Sequence, residues 1–279
     1  MPTGIERSLI LDRVAESIRL SVRRLESSSA RANWSCSQWQ KDEINTIYLL
    51  YRWIWALFFL GVYIMCIFIQ FCDGKFFIYM TNWGFGLCTL TMLISAVQVT
   101  CWHFDLRNTR SLVQESAHKA ETSRGLKIYW WLYNMTLSLA LIISTVYWVF
   151  LHGKMNKPMR FPAISIITHG LNSAMMMIDF LIVAFPLRIL HMIYGISLAI
   201  FFFVFTLIYH LCGGTDEFGN PYIYPILDWN NPKRCLVTFV GIFLLITCYW
   251  MLLFGLYKLK RMFNRAFSVV WTPHAVGLI

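Results

Sequence analysis

The chain has 279 residues, of which 58 % are hydrophobic, 17 % aromatic and only 14 % charged. That is too apolar and too poor in charge for a water-soluble globular domain, and it places most of the chain in a bilayer. The formal charge of +10 does not point to nucleic acid, because the lysines and arginines sit between apolar runs and form no basic stripe with interleaved aromatics.

Residues 1–46 carry charges throughout and no uninterrupted apolar core, so no cleavable signal peptide is expected there. Within them Ile10, Val14, Ile18, Val22 and Leu25 recur at near-helical spacing among Arg13, Arg19, Arg23 and Arg24. That pattern predicts a basic amphipathic helix over 5–26, suited to an anionic membrane surface or to packing on its own bundle. SSSARANWSCS reads as a flexible connector, and its sequon at Asn33 would face the cytoplasm and stay unmodified.

Six apolar runs follow, at about 47–71, 76–101, 127–151, 163–185, 188–211 and 235–257. At ~1.5 Å per residue each is long enough to cross ~30 Å of hydrocarbon. The expected fold is all-α, a polytopic six-span membrane bundle (47–257) between an N-terminal tail (1–46) and a C-terminal tail (258–279). With both termini cytoplasmic, eighteen of the Lys and Arg residues lie inside and six outside, which is the orientation the positive-inside rule prefers. The short links CDGK and the Pro186 turn predict helical hairpins between spans one and two and between spans four and five.

The eight cysteines form no CxxC pair and have no histidines at metal-ligand spacing, so no metal site and no cofactor is expected. Cys212 and Cys235 flank one polar loop and are candidates to close it as a disulfide. That loop, GGTDEFGNPYIYPILDWNNP, is turn-rich and aromatic, and reads as a cap over the outer mouth of the bundle.

The informative residues are those a bilayer should exclude. Thr81 and Asn82 lie near the start of the second span, and His169, Asn172 and Ser173 near the start of the fourth. Both spans begin on the outer side, which puts Thr81 and His169 at a similar depth, roughly 8–10 Å in. A hydroxyl and an imidazole at one depth are the minimum parts of a base-activated nucleophile, with Asn82 or Asn172 as a donor to a developing oxyanion. The competing reading is a threonine bonded to its own backbone and a histidine bridging helices. Asp179 lies ten residues beyond His169, ~15 Å along the helix, too far to orient that imidazole. It is expected to pair with Arg188 or Arg52 near the inner face. Asp228, in the outer loop, is placed to reach His169 from above.

LLYRWIWALFFLGVYI, GKFFIYMTNWGF, HGLNSAMMMIDF and YIYPILDW together resemble the Rolling stone family of invertebrate membrane proteins, over about residues 45–257. That resemblance implies a plasma-membrane role in myoblast fusion. A more distant likeness is to the androgen-induced family of intramembrane threonine hydrolases, which cleave fatty acid esters of hydroxy fatty acids. It implies Thr81 in KFFIYMTN as nucleophile and His169, with Asp179 ten residues on, as base. The leading expectation is a Rolling stone type membrane protein carrying a Thr/His lipid-ester hydrolase site. Its partners would be the bilayer, a lipid ester and other membrane proteins, with no nucleic acid, at the plasma membrane or endoplasmic reticulum. The rival is a non-enzymatic fusion or adhesion protein acting through its loops. A transporter is the weaker third, since intramembrane polar residues gather mainly at the outer end.

Overall fold

The computed structural model describes residues 35–40, 44–109, 118–152, 162–184 and 186–271. The helix expected over 5–26 and the sequon at Asn33 lie outside those residues. Helix α1 (Thr46–Gln70) starts on Asn45, whose side-chain oxygen accepts the Tyr48 N–H at 3.0 Å and so satisfies one of the unpaired donors of the first turn. Cys72, Asp73 and Gly74 then take φ of 40°, 52° and 84°, and the chain reverses through a 3-10 turn, Cys72–Ile78. Helix α2 spans Met80–Thr109 and α3 His118–Val146, the latter continuing as a π turn, Tyr147–Leu151. Helix α4 runs Pro162–Ile182 with a π turn at Ile166–Leu171. Helix α5 (Met192–Leu211) follows a 3-10 turn at Ile189–His191, and the 212–231 loop leads into α6 (Pro232–Trp271), which passes residue 257 unbroken. Among the described residues there is no strand.

Among the described residues six stretches are long and apolar enough to cross a bilayer: Thr46–Gln70, Met80–Phe104, Ile128–Leu151, Pro162–Ile182, Ile189–Leu211 and Pro232–Asn264. The fold is thus the all-helical, six-span architecture expected. Helix α3 is central and packs on α2, α4, α5 and α6. Its Tyr129 and Tyr133 are buried with Phe59 of α1, Phe85 of α2, Phe180 of α4 and Trp250 of α6. Hydroxyls inside the spans mostly bond backwards along their own helix, Thr89 to the Phe85 carbonyl at 2.9 Å and Thr91 to that of Leu87 at 2.8 Å. Others link helices: Tyr129 donates to Ser95 and Trp53 to Thr100, both at 2.9 Å.

Gly84 lets α2 and α3 approach closely: a Cβ there would stand 2.3 Å from Cδ1 of Ile143, whose side chain would have to turn aside. Gly84→Val overpacks that contact, and a loss of about 1–3 kcal/mol is expected, read as a lowered unfolding temperature in detergent. Gly61→Val, at a position with open space, is the control and should leave that temperature nearly unchanged.

Two sequence expectations need correction. Spans one and two do form a packed antiparallel pair, but α4 and α5 do not. Residues around Val183 (ψ 149°) and Arg188 (φ −120°, ψ 140°) are extended, and the Pro186 carbonyl accepts the Trp130 indole N–H at 2.9 Å. The connection therefore carries α5 away from α4, to pack on α3 and α6. Cys212 and Cys235 are both free thiols, so the outer loop is not closed by a disulfide; hydrogen bonds hold it instead.

At the end of the bundle near residue 40, the last carbonyls of α4 are capped by distant parts of the chain. Lys260 donates to Phe180 and Val183, Gln38 and Trp39 side chains to Leu181, and Ser37 to Ile182. A helix end buried without such partners would leave several carbonyls unsatisfied. Asp179, just inside this end, accepts from Arg52 at 2.7 Å and from Tyr51 at 3.0 Å, so of its two expected partners Arg52 is the one in place.

Candidate functional site

At the opposite end, where α1 turns into α2, the first turn of α2, the end of α3, parts of α5 and α6 and the 212–231 loop enclose a cavity of about 110 Å³. Its walls are almost wholly apolar, among them Leu139, Ile143, Phe202, Phe239 and Ile246. The polar side chains on it are Thr81, Tyr147, Tyr224 and Thr238. Thr238 is already spent, donating to the Ile226 carbonyl at 2.8 Å. Tyr224, Ile226 and Leu227 form one wall, so the loop does cap this end of the bundle as its composition suggested.

Thr81 is the second residue of α2, half-buried against this cavity. The positive-φ turn at Cys72–Gly74 delays the start of α2 to Met80, so Thr81 lies one residue into its span. His169 lies seven residues into α4, ~10 Å by helix rise. Among the described residues no hydrogen bond joins the two. His169 is buried outside the cavity lining, and Tyr147 lies against both. The Tyr147 and His169 rings stack with centroids 3.5 Å apart and planes 1° from parallel. Each ring sits in a π turn, Tyr147–Leu151 or Ile166–Leu171, and the widened backbone of such turns recurs at functional sites. Nδ1 of His169 has no partner among the described residues.

The three supporting residues fall elsewhere. Asn82 donates to the Phe76 carbonyl at 2.8 Å, locking the 3-10 turn to α2. Asn172 is buried, its amide against the Cys88 thiol, and its Oδ1 is unpartnered among the described residues. Asp228 closes its own turn, accepting from the backbone and side-chain N–H groups of Asn230, both at 3.0 Å. Its carboxylate is thereby engaged locally instead of reaching His169 from above. Among the described residues no cluster of side chains suits a metal ion.

Two tyrosines were missed from the sequence. Tyr147 looked like any aromatic in an apolar span, and nothing in its neighbours set it apart. Tyr224 carried a signal, as the aromatic before the proline in YIYPIL, but its partners are distant in sequence. Burial pushes its phenol above the usual range, and the nearby Thr81 hydroxyl and backbone N–H groups of Thr81 and Met80 offset part of that rise.

The family model described as Protein rolling stone matches residues 18–279. The chain belongs to the Rolling stone family. The match takes in much of the basic N-terminal stretch, beyond the 45–257 over which Rolling stone motifs were read from the sequence. A curated Rolling stone relative, Protein rolling stone of Drosophila melanogaster, is 91 % identical over 243 residues, covering 87 % of this chain and 88 % of that one. No solved structure matches the chain.

Proposed function

We propose that the cavity takes the acyl part of a lipid ester from the bilayer and that Thr81 is the nucleophile of an intramembrane ester hydrolase, with His169 its base. The observation that carries this reading is the Thr81 hydroxyl on the wall of an apolar cavity backed by a ring stacked on a buried histidine. Pockets of this make-up, mostly apolar with a few convergent polar groups, are where small ligands bind. Thr81 Oγ attacks the ester carbonyl, its proton passes to His169, and the same proton leaves with the alcohol. Water then cleaves the acyl-threonine and restores the hydroxyl. Tyr147 covers His169 at rest, so the base is engaged when that ring moves aside. In this reading both termini are cytoplasmic, with residues 1–46 and 258–279 as the tails, and the cavity opens toward the outer leaflet of the plasma membrane or the lumenal leaflet of the endoplasmic reticulum.

The test is labelling of the purified protein in detergent by an alkyl fluorophosphonate. Wild type should label, Thr81→Ser should retain labelling, and Thr81→Ala should lose it. His169→Ala should slow it by about 100-fold or more, the usual contribution of a positioned base. A folded wild type that stays unlabelled sinks the hydrolase.

A non-enzymatic fusion or adhesion role is the second reading, and the build of the 212–231 loop favours it. Lys75 donates to the Thr215 hydroxyl at 3.1 Å and to the Asp216 carbonyl at 2.6 Å. The Asp216 carboxylate accepts from the backbone of Phe218 and Asn220, both at 2.8 Å, and the result presents Phe218 about half exposed at the tip. Phe218→Asp should then abolish cell–cell fusion while Thr81→Ala leaves it intact.

A further inference from the structure

We infer that Tyr224 is a catalytic residue of this site, its phenol O–H donating to the oxyanion that forms when Thr81 attacks a carbonyl. The inference rests on the hydrolase reading and names a donor that the two asparagines do not supply. Tyr224, Thr81 and Met80 line the same cavity, which puts the phenol beside the Thr81 hydroxyl and the N–H groups of the first turn of α2. Those N–H groups open α2, where donors have no partner within the helix and the peptide dipoles make the potential positive. A positive potential beside the phenol oxygen polarises its O–H, and an apolar site strengthens that effect.

The phenol is also held in place before any ligand arrives. Its ring packs edge-on to Tyr79 at 5.8 Å and against Phe202 at 6.3 Å. The Leu227 N–H bonds back to the Tyr224 carbonyl at 2.8 Å, closing the Pro225–Leu227 turn. The link from Lys75 to Thr215 and Asp216 ties the loop to the turn before α2. A rigid donor aimed at the point where charge develops is the arrangement that stabilises a tetrahedral intermediate.

The experiment compares the second-order rate of labelling by an alkyl fluorophosphonate in wild type, Tyr224→Phe and Tyr79→Phe, with thermal unfolding of each in the same detergent. In that reaction Thr81 Oγ forms a bond to phosphorus, fluoride leaves, the threonine proton goes to His169, and the phosphoryl oxygen takes the oxyanion's place. Tyr224→Phe is expected to slow labelling about 100-fold or more. Tyr79→Phe, which keeps the ring packed on Tyr224 and removes a hydroxyl that faces Glu217 of the same loop, should stay within about threefold of wild type. Equal slowing in both variants, in step with lowered unfolding temperatures, overturns the inference and makes Tyr224 a loop anchor. Wild-type rates in Tyr224→Phe overturn it while leaving the hydrolase standing, and an unlabelled, folded wild type overturns both.

Discussion

Asp179→Leu is expected to destabilise the bundle by about 3–5 kcal/mol, because it leaves a buried guanidinium without its counter-charge. Arg52 and Asp179 are essentially inaccessible, 1 % and 0 % exposed, and meet at 2.7 Å between α1 and α4. The arginine sits over the rings of Tyr48 and Tyr51, 4.8 Å and 5.6 Å from their centroids, and also donates to the Tyr48 hydroxyl. Tyr51 donates to the same Asp179 oxygen that Arg52 holds. An arginine stranded in such a pocket must drag water in or pull its helix toward the interface. Replacing both charges, as Arg52→Met with Asp179→Leu, removes the stranded ion and should recover most of the loss. Unfolding in detergent with increasing denaturing surfactant reads this directly. A double variant as unstable as Asp179→Leu would mean that shape, not charge, sets the cost.

Lys260→Met should cost about 3 kcal/mol, since it strips two charge-assisted hydrogen bonds from buried carbonyls. Its ammonium donates at 2.6 Å to both Phe180 and Val183 and lies 4.7 Å from the Phe180 ring centroid. The carbonyls it holds belong to the last turn of α4 and the extended residue after it, where no backbone N–H is left to serve them. Lys258→Met, two residues away and exposed, is the control and should move stability by less than about 0.5 kcal/mol. Limited trypsin digestion gives a local readout. Cleavage after the exposed Arg188 should quicken in Lys260→Met, because the 183–188 connection loses its anchor, and should not change in Lys258→Met. Unchanged cleavage and stability in Lys260→Met would show that the segment at 37–39 caps α4 without help.

The two lysines show where reading from the sequence stops. Lys258, Lys260 and Arg261 all counted equally as positive charge beside the last span. A bilayer sorts residues by hydropathy over about twenty positions, so that count needed no knowledge of neighbours. Which lysine turns inward depends on what α6 packs against, and the 3.6-residue period of a helix apolar on all sides gives no preferred face. Asp179 is intermediate. Its depth limited it to a basic partner near the same end, and two were offered, Arg52 and Arg188. The choice fell to packing, because the chain, extended at Val183 and again at Arg188, leaves Arg188 exposed over the Trp130 ring.

Thr81 and His169 follow the same division. Their residue types, and their places near the starts of two spans that enter from one side, came from the sequence. That Thr81 falls in the first turn of α2 came from Cys72, Asp73 and Gly74, whose left-handed backbone closes the turn before that helix. The stack of Tyr147 on His169 came from two π turns, which have no composition signal. The sequence by itself determined the membrane, the six helices, the family and the chemical inventory, because hydropathy and residue type act locally. Tertiary structure alone decided that Tyr147 and Tyr224 join Thr81 around one cavity and that Asn82, Asn172 and Asp228 do not line it. Such meetings depend on helix rotation, turn geometry and loop return, which are set by packing between segments far apart in the sequence.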